Sequence, residues 1–248
     1  MPLISVCIPT YEMNGSGRLF LQQSFNILTW QTLKDFDVIV SDHSTTDVIK
    51  TLCDEYADRL DIHYYHNPNN IGNSSANLNN AIKHATGKLI KFLFQDDFLF
   101  SPASLQEIVN NFNVQSDHWL VTACEHTVDG KNFIRPFYPK YSDDILLGNN
   151  TISSPSVVTI INDRPLKFDE RLIWLMDCEY YRRCYDAFGL PKILNTINVI
   201  NRTGGHQVSH TLATKKLQNY EYAYVLKKYH MTMPFMKRLK KCLRDYSL

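Results

Sequence analysis

Long apolar stretches are missing from this sequence. Its most apolar run, LIKFLF at 89–94, contains a lysine and falls far short of the roughly 20 residues that cross a bilayer. A membrane-spanning helix is therefore not expected. The first ten residues, MPLISVCIPT, put no basic segment ahead of an apolar core, so a secretory leader is not expected either. The six cysteines are scattered and form no CxxC pair, which argues against zinc ribbons and thioredoxin-like chemistry and for reduced thiols in a reducing compartment. Glycine is sparse, with nine residues, and both glycine-rich phosphate motifs fail. Gly15-Ser16-Gly17 starts a GxGxxG, but Phe20 holds the third glycine position. Gly87-Lys88 ends a possible phosphate loop, but Ile82 stands where its first glycine belongs and Leu89 follows the lysine. Dehydrogenases and P-loop NTPases are disfavoured. No internal repeat or low-complexity linker interrupts the chain.

What is present is the composition of a folded protein. The 248 residues are 44% hydrophobic and 21% charged, which suits one large α/β domain with a small appendage. The net charge of +1 is unevenly spread. From Lys215 onward nine Lys and Arg face only Glu221 and Asp245, a local charge of +7 that leaves −6 on the rest. A basic tail behind a mildly acidic body suggests an anionic surface near the C-terminus and no nucleic-acid partner.

The first half alternates short β-rich runs with helical patterns. Ile4–Ile8, Phe36–Val40, Ile62–Tyr65 and Leu89–Phe94 read as strands. Between them Arg18–Gln31 spaces Leu21, Phe25 and Leu28 on one helical face, the next helix aligns Val48, Leu52 and Tyr56, and Asn77–Ala85 forms a third before Gly87. Ser101-Pro102 predicts a fourth helix start, with Leu105, Ile108, Val109 and Phe112 inward. Four strand–helix units imply a mostly parallel sheet with helices on both faces. The second half is less regular. It predicts strands at His118–Ala123, Asn132–Ile134, Ser156–Ile161 and Ile193–Ile200, a hairpin turn at Asp129-Gly130, a short helix near Asp143–Leu147, a helix over Asp177–Phe188 closed by Gly189, and a long helix over Thr211–His230.

Parallel sheets bind ligands at the carboxyl ends of their strands. Polar clusters sit at those ends here: Thr10-Tyr11-Glu12, Asp42, Asn67–Asn73 and Asp96-Asp97. Without a glycine cradle, a diphosphate can be held by Mg²⁺ or Mn²⁺ gripped by one or two carboxylates. Asp96-Asp97 offers such a pair, although a solvated loop with a capping aspartate reads the same residues without metal. Two adjacent carboxylates repel one another, and a cation relieves that cost.

Four segments in order, SVCIPTYE, VIVSDHSTTD, NPNNIGNSSANLNNAIKHATGKLIKFLFQDDFL and FDERLIWLMDCEYYRR, resemble the family 2 glycosyltransferases. These have the GT-A fold and transfer a sugar from a nucleotide diphosphate with inversion. The resemblance spans about residues 3–210. It implies that the Pro9-Thr10-Tyr11 loop, with Glu12 beside it, lines the nucleotide and that Asp42 hydrogen-bonds the base. It also implies that Asn77 and Asn79 pack beside the sugar-nucleotide, and that Asp96 and Asp97 stand for the ribose and metal carboxylates of a DxD motif. Asp177 is then the catalytic base, and His206 is a further candidate for the metal shell. The sequence departs from the pattern at Phe94, where the DxD motif begins with aspartate, at His43 in the second-strand motif, and at Met176 before the base.

The expected organisation is therefore a GT-A domain over 1–210, with a nucleotide-sugar half at about 1–100, an acceptor half at about 101–210 carrying a small β element, and a basic helical extension over 211–248. The resemblance implies a Mn²⁺- or Mg²⁺-dependent enzyme using a UDP-sugar and a hydroxyl of a glycan or lipid-linked oligosaccharide in surface polysaccharide synthesis. A nucleotidyltransferase of similar fold and an inactive sugar-nucleotide-binding module are the rival readings. PFMKRLKKCLRDY carries an apolar stripe of Phe235, Leu239, Cys242 and Leu243 among five cations. It suits either an anionic membrane at the cytoplasmic face or packing on protein, its own domain or a second copy.

Overall fold

The computed structural model describes residues 1–205 and 213–231. Eight strands form one mixed sheet in the order β3-β2-β1-β4-β7-β6-β8-β5. In chain order they are β1 Ile4–Thr10, β2 Phe36–Asp42, β3 Ile62–His66, β4 Leu89–Phe92, β5 Phe98–Leu99, β6 Trp119–Thr127, β7 Val158–Ile161 and β8 Lys192–Arg202. The helices are α1 Gly17–Thr29, α2 Val48–Tyr56, α3 Ser74–His84, α4 Ser104–Asn111, α5 Met176–Phe188 and α6 Lys215–Lys228. The first four strands are the parallel block: β1 pairs parallel with both β2 and β4, and β2 with β3. Every residue of β1 is buried, which requires cover on both faces of the sheet.

Beyond β4 the sheet changes character. β7 runs antiparallel to β4 and β6, β8 is parallel to β6, and β5 is antiparallel to β8. The second-half strands thus extend the central sheet, in which four of the seven strand pairings are parallel, in keeping with the mostly parallel sheet expected. The 132–134 segment makes only an isolated bridge, Phe133 to Thr127. The Asp129 carboxylate holds its turn by accepting the N–H groups of Lys131 and Asn132. The fourth helix starts at Ser104, not at Ser101-Pro102. The carbonyls of Ser101 and Pro102 are taken by Gln31 Nε2 and Thr32 N, both at 2.8 Å, so that turn is tied to the end of α1. The predicted short helix at 143–147 is a 3-10 turn over those residues.

One hydrophobic core runs through both halves, and Tyr222 and Val225 of α6 belong to it. Residue 210 is therefore not a packing boundary: α6 is built into the domain. The five described cysteines are buried and free. Among the described residues no helix is long and apolar enough to cross a membrane.

Candidate active site

A cavity of about 650 Å³ opens where the parallel strands end. Pro9 and Tyr11 reach it from the end of β1, His43 from β2, Asn77 from α3, and Phe94, Gln95, Asp96 and Asp97 from the loop after β4. The opposite wall is made by Arg135, Phe137, Asn150, Ser153–Pro155, Ile173–Cys178 and Asn201–Thr203. Six of the residues singled out in the sequence, Pro9, Tyr11, Asn77, Asp96, Asp97 and Asp177, meet around this one space.

Four others serve the walls from behind. Asp42 is fully buried and accepts hydrogen bonds from Thr10 Oγ1, Ser44 N, Ser44 Oγ and Tyr64 Oη at 2.7–3.1 Å. It ties the ends of β1, β2 and β3 together, with Thr10 as one of its donors. Glu12 clasps the loop after β1 to the loop after β2, accepting the N–H groups of Thr45 and Thr46 at 2.5 and 3.0 Å. Partial burial alone would raise its carboxyl, but these N–H donors and the Thr45 hydroxyl outweigh it and lower the pKa. Asn79 pins the 168–170 segment to α3 by bonding both backbone groups of Phe168 and the Glu170 carboxylate. Asn77, although it lines the cavity, also spends its amide internally, on Ser41 Oγ and the Thr10 carbonyl.

Gln95 fixes the first loop against the carboxylate pair. It exchanges two 2.9 Å hydrogen bonds with the backbone N–H and carbonyl of Tyr11, as a neighbouring strand would. Gly17 makes the approach possible, because a Cβ there would lie 2.7 Å from Gln95 Nε2 and run into the Tyr11 carbonyl. Burial, then the nearby Asp96 charge, raises the Tyr11 phenol.

The two aspartates have different surroundings. Asp97 is 4% exposed, and both its oxygens are engaged. Oδ2 accepts from Ser156 Oγ at 2.6 Å and Ser154 Oγ at 3.1 Å, and Oδ1 from the Arg202 N–H at 2.9 Å. Burial and then the Asp96 charge push its carboxyl well above the usual range. Lys91 of β4 is fully buried, donates to the Ser156 carbonyl, and is lowered to about 7 by burial, with Asp97 opposing that shift. A carboxylate saturated in this way is a structural acceptor and a poor cation ligand. Among the described residues no group of three or more His, Cys, Asp or Glu converges on a metal position, and His206 lies outside them. The donor set that fits Mn²⁺ or Mg²⁺ is therefore the cavity-lining Asp96 acting with substrate phosphates, a common arrangement for these hard cations.

Across the cavity, Asp177 sits in the first turn of α5. Its Oδ2 accepts from Asn150 Nδ2 at 2.6 Å and its Oδ1 from the Cys178 N–H at 2.7 Å. Burial lifts its carboxyl to about 6 against these hydrogen bonds. A base that is ionised near neutrality yet not a very weak one is the kind proton abstraction favours. Trp174, three residues earlier, lines the same wall. Its indole is held edge-on to Tyr222 at 5.3 Å, over Gly148, where a Cβ would meet Tyr222 Oη at 2.8 Å and the indole at 2.9 Å. Tyr180 and Tyr181 point into the core and are fully buried, so they do not face an acceptor.

The family model of Glycosyl transferase family 2 matches residues 5–161. The chain belongs to this family. It is 32% identical over 104 residues to the GalNAc(5)-diNAcBac-PP-undecaprenol beta-1,3-glucosyltransferase of Campylobacter jejuni, covering 42% of this chain and 32% of that enzyme. The chain spans about a third to a half of the length of curated relatives of this kind. Among solved structures, S. aureus TarS 1-349 in complex with UDP-GlcNAc superposes with a TM-score of 0.69 at 18% identity, covering 88% of this chain and 64% of that one. Glucosyl-3-phosphoglycerate synthase from Mycobacterium tuberculosis, in complex with Mn²⁺, UDP and glucosyl-3-phosphoglycerate, does so with a TM-score of 0.61 at 12% identity, covering 93% and 81%. At these identities the likeness establishes the GT-A fold.

Within this family fold, sequence reasoning missed Gln95, Lys91, Asn150, Ser154, Ser156 and Arg202. All are polar residues that act by orienting a neighbour. The one visible hint was Lys91, a lysine inside the most apolar strand, which requires a buried anionic or carbonyl partner.

Proposed function

We propose that the chain transfers a sugar from a nucleotide-diphospho-sugar, a UDP-sugar, to a hydroxyl of a glycan or lipid-linked oligosaccharide, with inversion. The observation that carries this reading is one cavity with Asp96 on the nucleotide side and the up-shifted, hydrogen-bonded Asp177 on the other. The donor's nucleotide lies along Pro9 and Tyr11, and the acceptor sugar lies against Trp174. Asp177 takes the proton of the acceptor hydroxyl while Asn150 and the Cys178 N–H hold the carboxylate in place. The attack is a single displacement at the anomeric carbon, so no enzyme nucleophile is used. Asp96 would hold a Mn²⁺ or Mg²⁺ ion, whose chemistry is to neutralise charge on the departing diphosphate.

The UDP-bound and Mn²⁺-bound neighbours and the undecaprenol-linked relative support these choices of donor, cation and acceptor. A lipid-linked acceptor in surface polysaccharide synthesis also gives the basic C-terminal segment a purpose at the cytoplasmic face of the membrane. The test is a thermal-shift screen of UDP-, GDP- and dTDP-sugars with and without Mn²⁺. Ligands of the native state raise its melting temperature by mass action. UDP-sugars are expected to stabilise the protein most, and only fully with Mn²⁺. No shift with any of them would overturn the reading.

A further inference from the structure

Directly before α5, three successive backbone N–H groups converge on one buried carboxylate. Glu221 of α6 is 0% exposed. Its Oε1 accepts from Ile173 N at 2.7 Å and Trp174 N at 3.2 Å, and its Oε2 from Trp174 N at 3.0 Å and Leu175 N at 2.8 Å. An anion cradled by consecutive N–H groups at a helix N-terminus is strongly held, through charge-assisted bonds and the helix dipole. The donors belong to the turn that puts Trp174 and Asp177 on the cavity wall.

We propose that Glu221 is a positioning residue for Asp177 and Trp174. It rests on the reading of Asp177 as the proton acceptor made above. The rest of α6 is anchored independently. Tyr222 Oη donates to the Leu147 carbonyl at 2.7 Å, and Lys228 Nζ lies 2.6 Å from both Asp169 and Glu179. The helix can therefore stay docked when the carboxylate changes, and the carboxylate's own effect is separable from that of α6. No water or side chain is needed to complete the contact, since each of the four acceptor distances is within ordinary hydrogen-bond range. A reacting group displaced by about 1 Å can lose about 10²-fold in rate, so the turn before the base is where such control matters.

The test compares Glu221→Gln with Tyr222→Phe in the full chain. It reads amide hydrogen exchange at Ile173, Trp174 and Leu175, and the titration of the Asp177 carboxyl by carbon-detected NMR, assigned with Asp177→Asn. Gln offers one acceptor oxygen and turns an amide NH₂ toward a donor. Exchange at the three amides is expected to quicken at least tenfold, and the Asp177 midpoint to move toward that of an ordinary carboxylate. Tyr222→Phe, which loosens α6 without touching the cradle, is expected to lower the melting temperature while leaving both readouts in place. If Glu221→Gln does not fold, Glu221→Asp, which keeps the charge with one methylene fewer, is read the same way with a smaller change. Unchanged exchange or an unchanged midpoint overturns the proposal, as does Tyr222→Phe reproducing the effect. An Asp177→Asn variant that still transfers sugar would instead defeat the assignment of the base, leaving the cradle measurements as they stand.

Discussion

At the scale of single residues, chemistry that looks equivalent in the sequence is divided by burial. Asp96 and Asp97 are adjacent carboxylates, yet Asp97 is a buried acceptor for two hydroxyls and an N–H while Asp96 lines the cavity. Asp97→Ala would leave the Ser156 hydroxyl and the Arg202 N–H without this acceptor. Stranded buried donors cost about 1–3 kcal/mol each, so this variant is expected to lose at least about 2 kcal/mol of stability, read from its urea midpoint. Wild-type-like stability would mean that the Asp97 contacts carry little weight. Asp96→Ala removes a carboxylate that lines the cavity and is expected to lose Mn²⁺-dependent donor binding. Asp177→Asn keeps the shape of its side chain but takes no proton, and turnover is expected to fall by at least about 10²-fold with donor affinity unchanged. Because the acid form of Asp177 cannot accept a proton, and its carboxyl is raised to about 6, wild-type kcat is expected to rise through pH 6 and level above it. A rate already at its plateau at pH 5 would remove Asp177 as the base.

At the scale of elements, the parallel block was legible because its strands are buried on both faces and its helices keep a 3.6-residue apolar period. β1 through β4 and α1 through α3 fall within a few residues of their expected spans. The site loops were legible for a related reason: polar clusters at the ends of apolar strands have few other causes. Asp177 was readable by resemblance alone, since its local sequence also describes a helix start, and nothing nearby in the chain announces Asn150. Glu221 was illegible because its partners, 173–175, lie 46 to 48 residues away in sequence and bond through backbone atoms that leave no residue signature. The helix itself was legible, α6 at Lys215–Lys228 lying within the span expected at 211–230, but its docking into the core through Tyr222 and Val225 was not. Ending the chain at residue 210 strips Tyr222 and Val225 from the core and three N–H groups of their acceptor. Each large apolar side chain is worth about 1.5–3 kcal/mol on burial, so the loss is on the order of a small domain's whole stability. Thermal unfolding followed by circular dichroism is expected to show no cooperative transition for that fragment and a normal one for a chain ending at 231. A fragment ending at 210 that melts cooperatively would make α6 an appendage after all.

At the scale of the whole molecule, charge and site are arranged on different parts of the chain. The −6 body holds the cavity, and the +7 C-terminal stretch begins with α6, whose Glu221 accepts from the backbone of the cavity-lining turn 173–175 and whose Lys228 pairs with Asp169 and Glu179. The remaining cations, from Lys237 to Arg244, follow α6 directly in sequence and lie outside the described residues. Each basic residue near an anionic lipid surface contributes about 1 kcal/mol, falling off within a Debye length. The five cations of 237–244 would thus hold the protein at a membrane rich in anionic lipid at low salt and release it as salt rises. Co-sedimentation with phosphatidylglycerol vesicles is expected to recover most of the full chain in the pellet at low ionic strength, with steep loss as salt is added. Truncation after Met233 is expected to abolish recovery while leaving donor binding at the cavity intact. Equal amounts in the supernatant with and without anionic vesicles, at low salt, would assign the basic stretch to packing on protein.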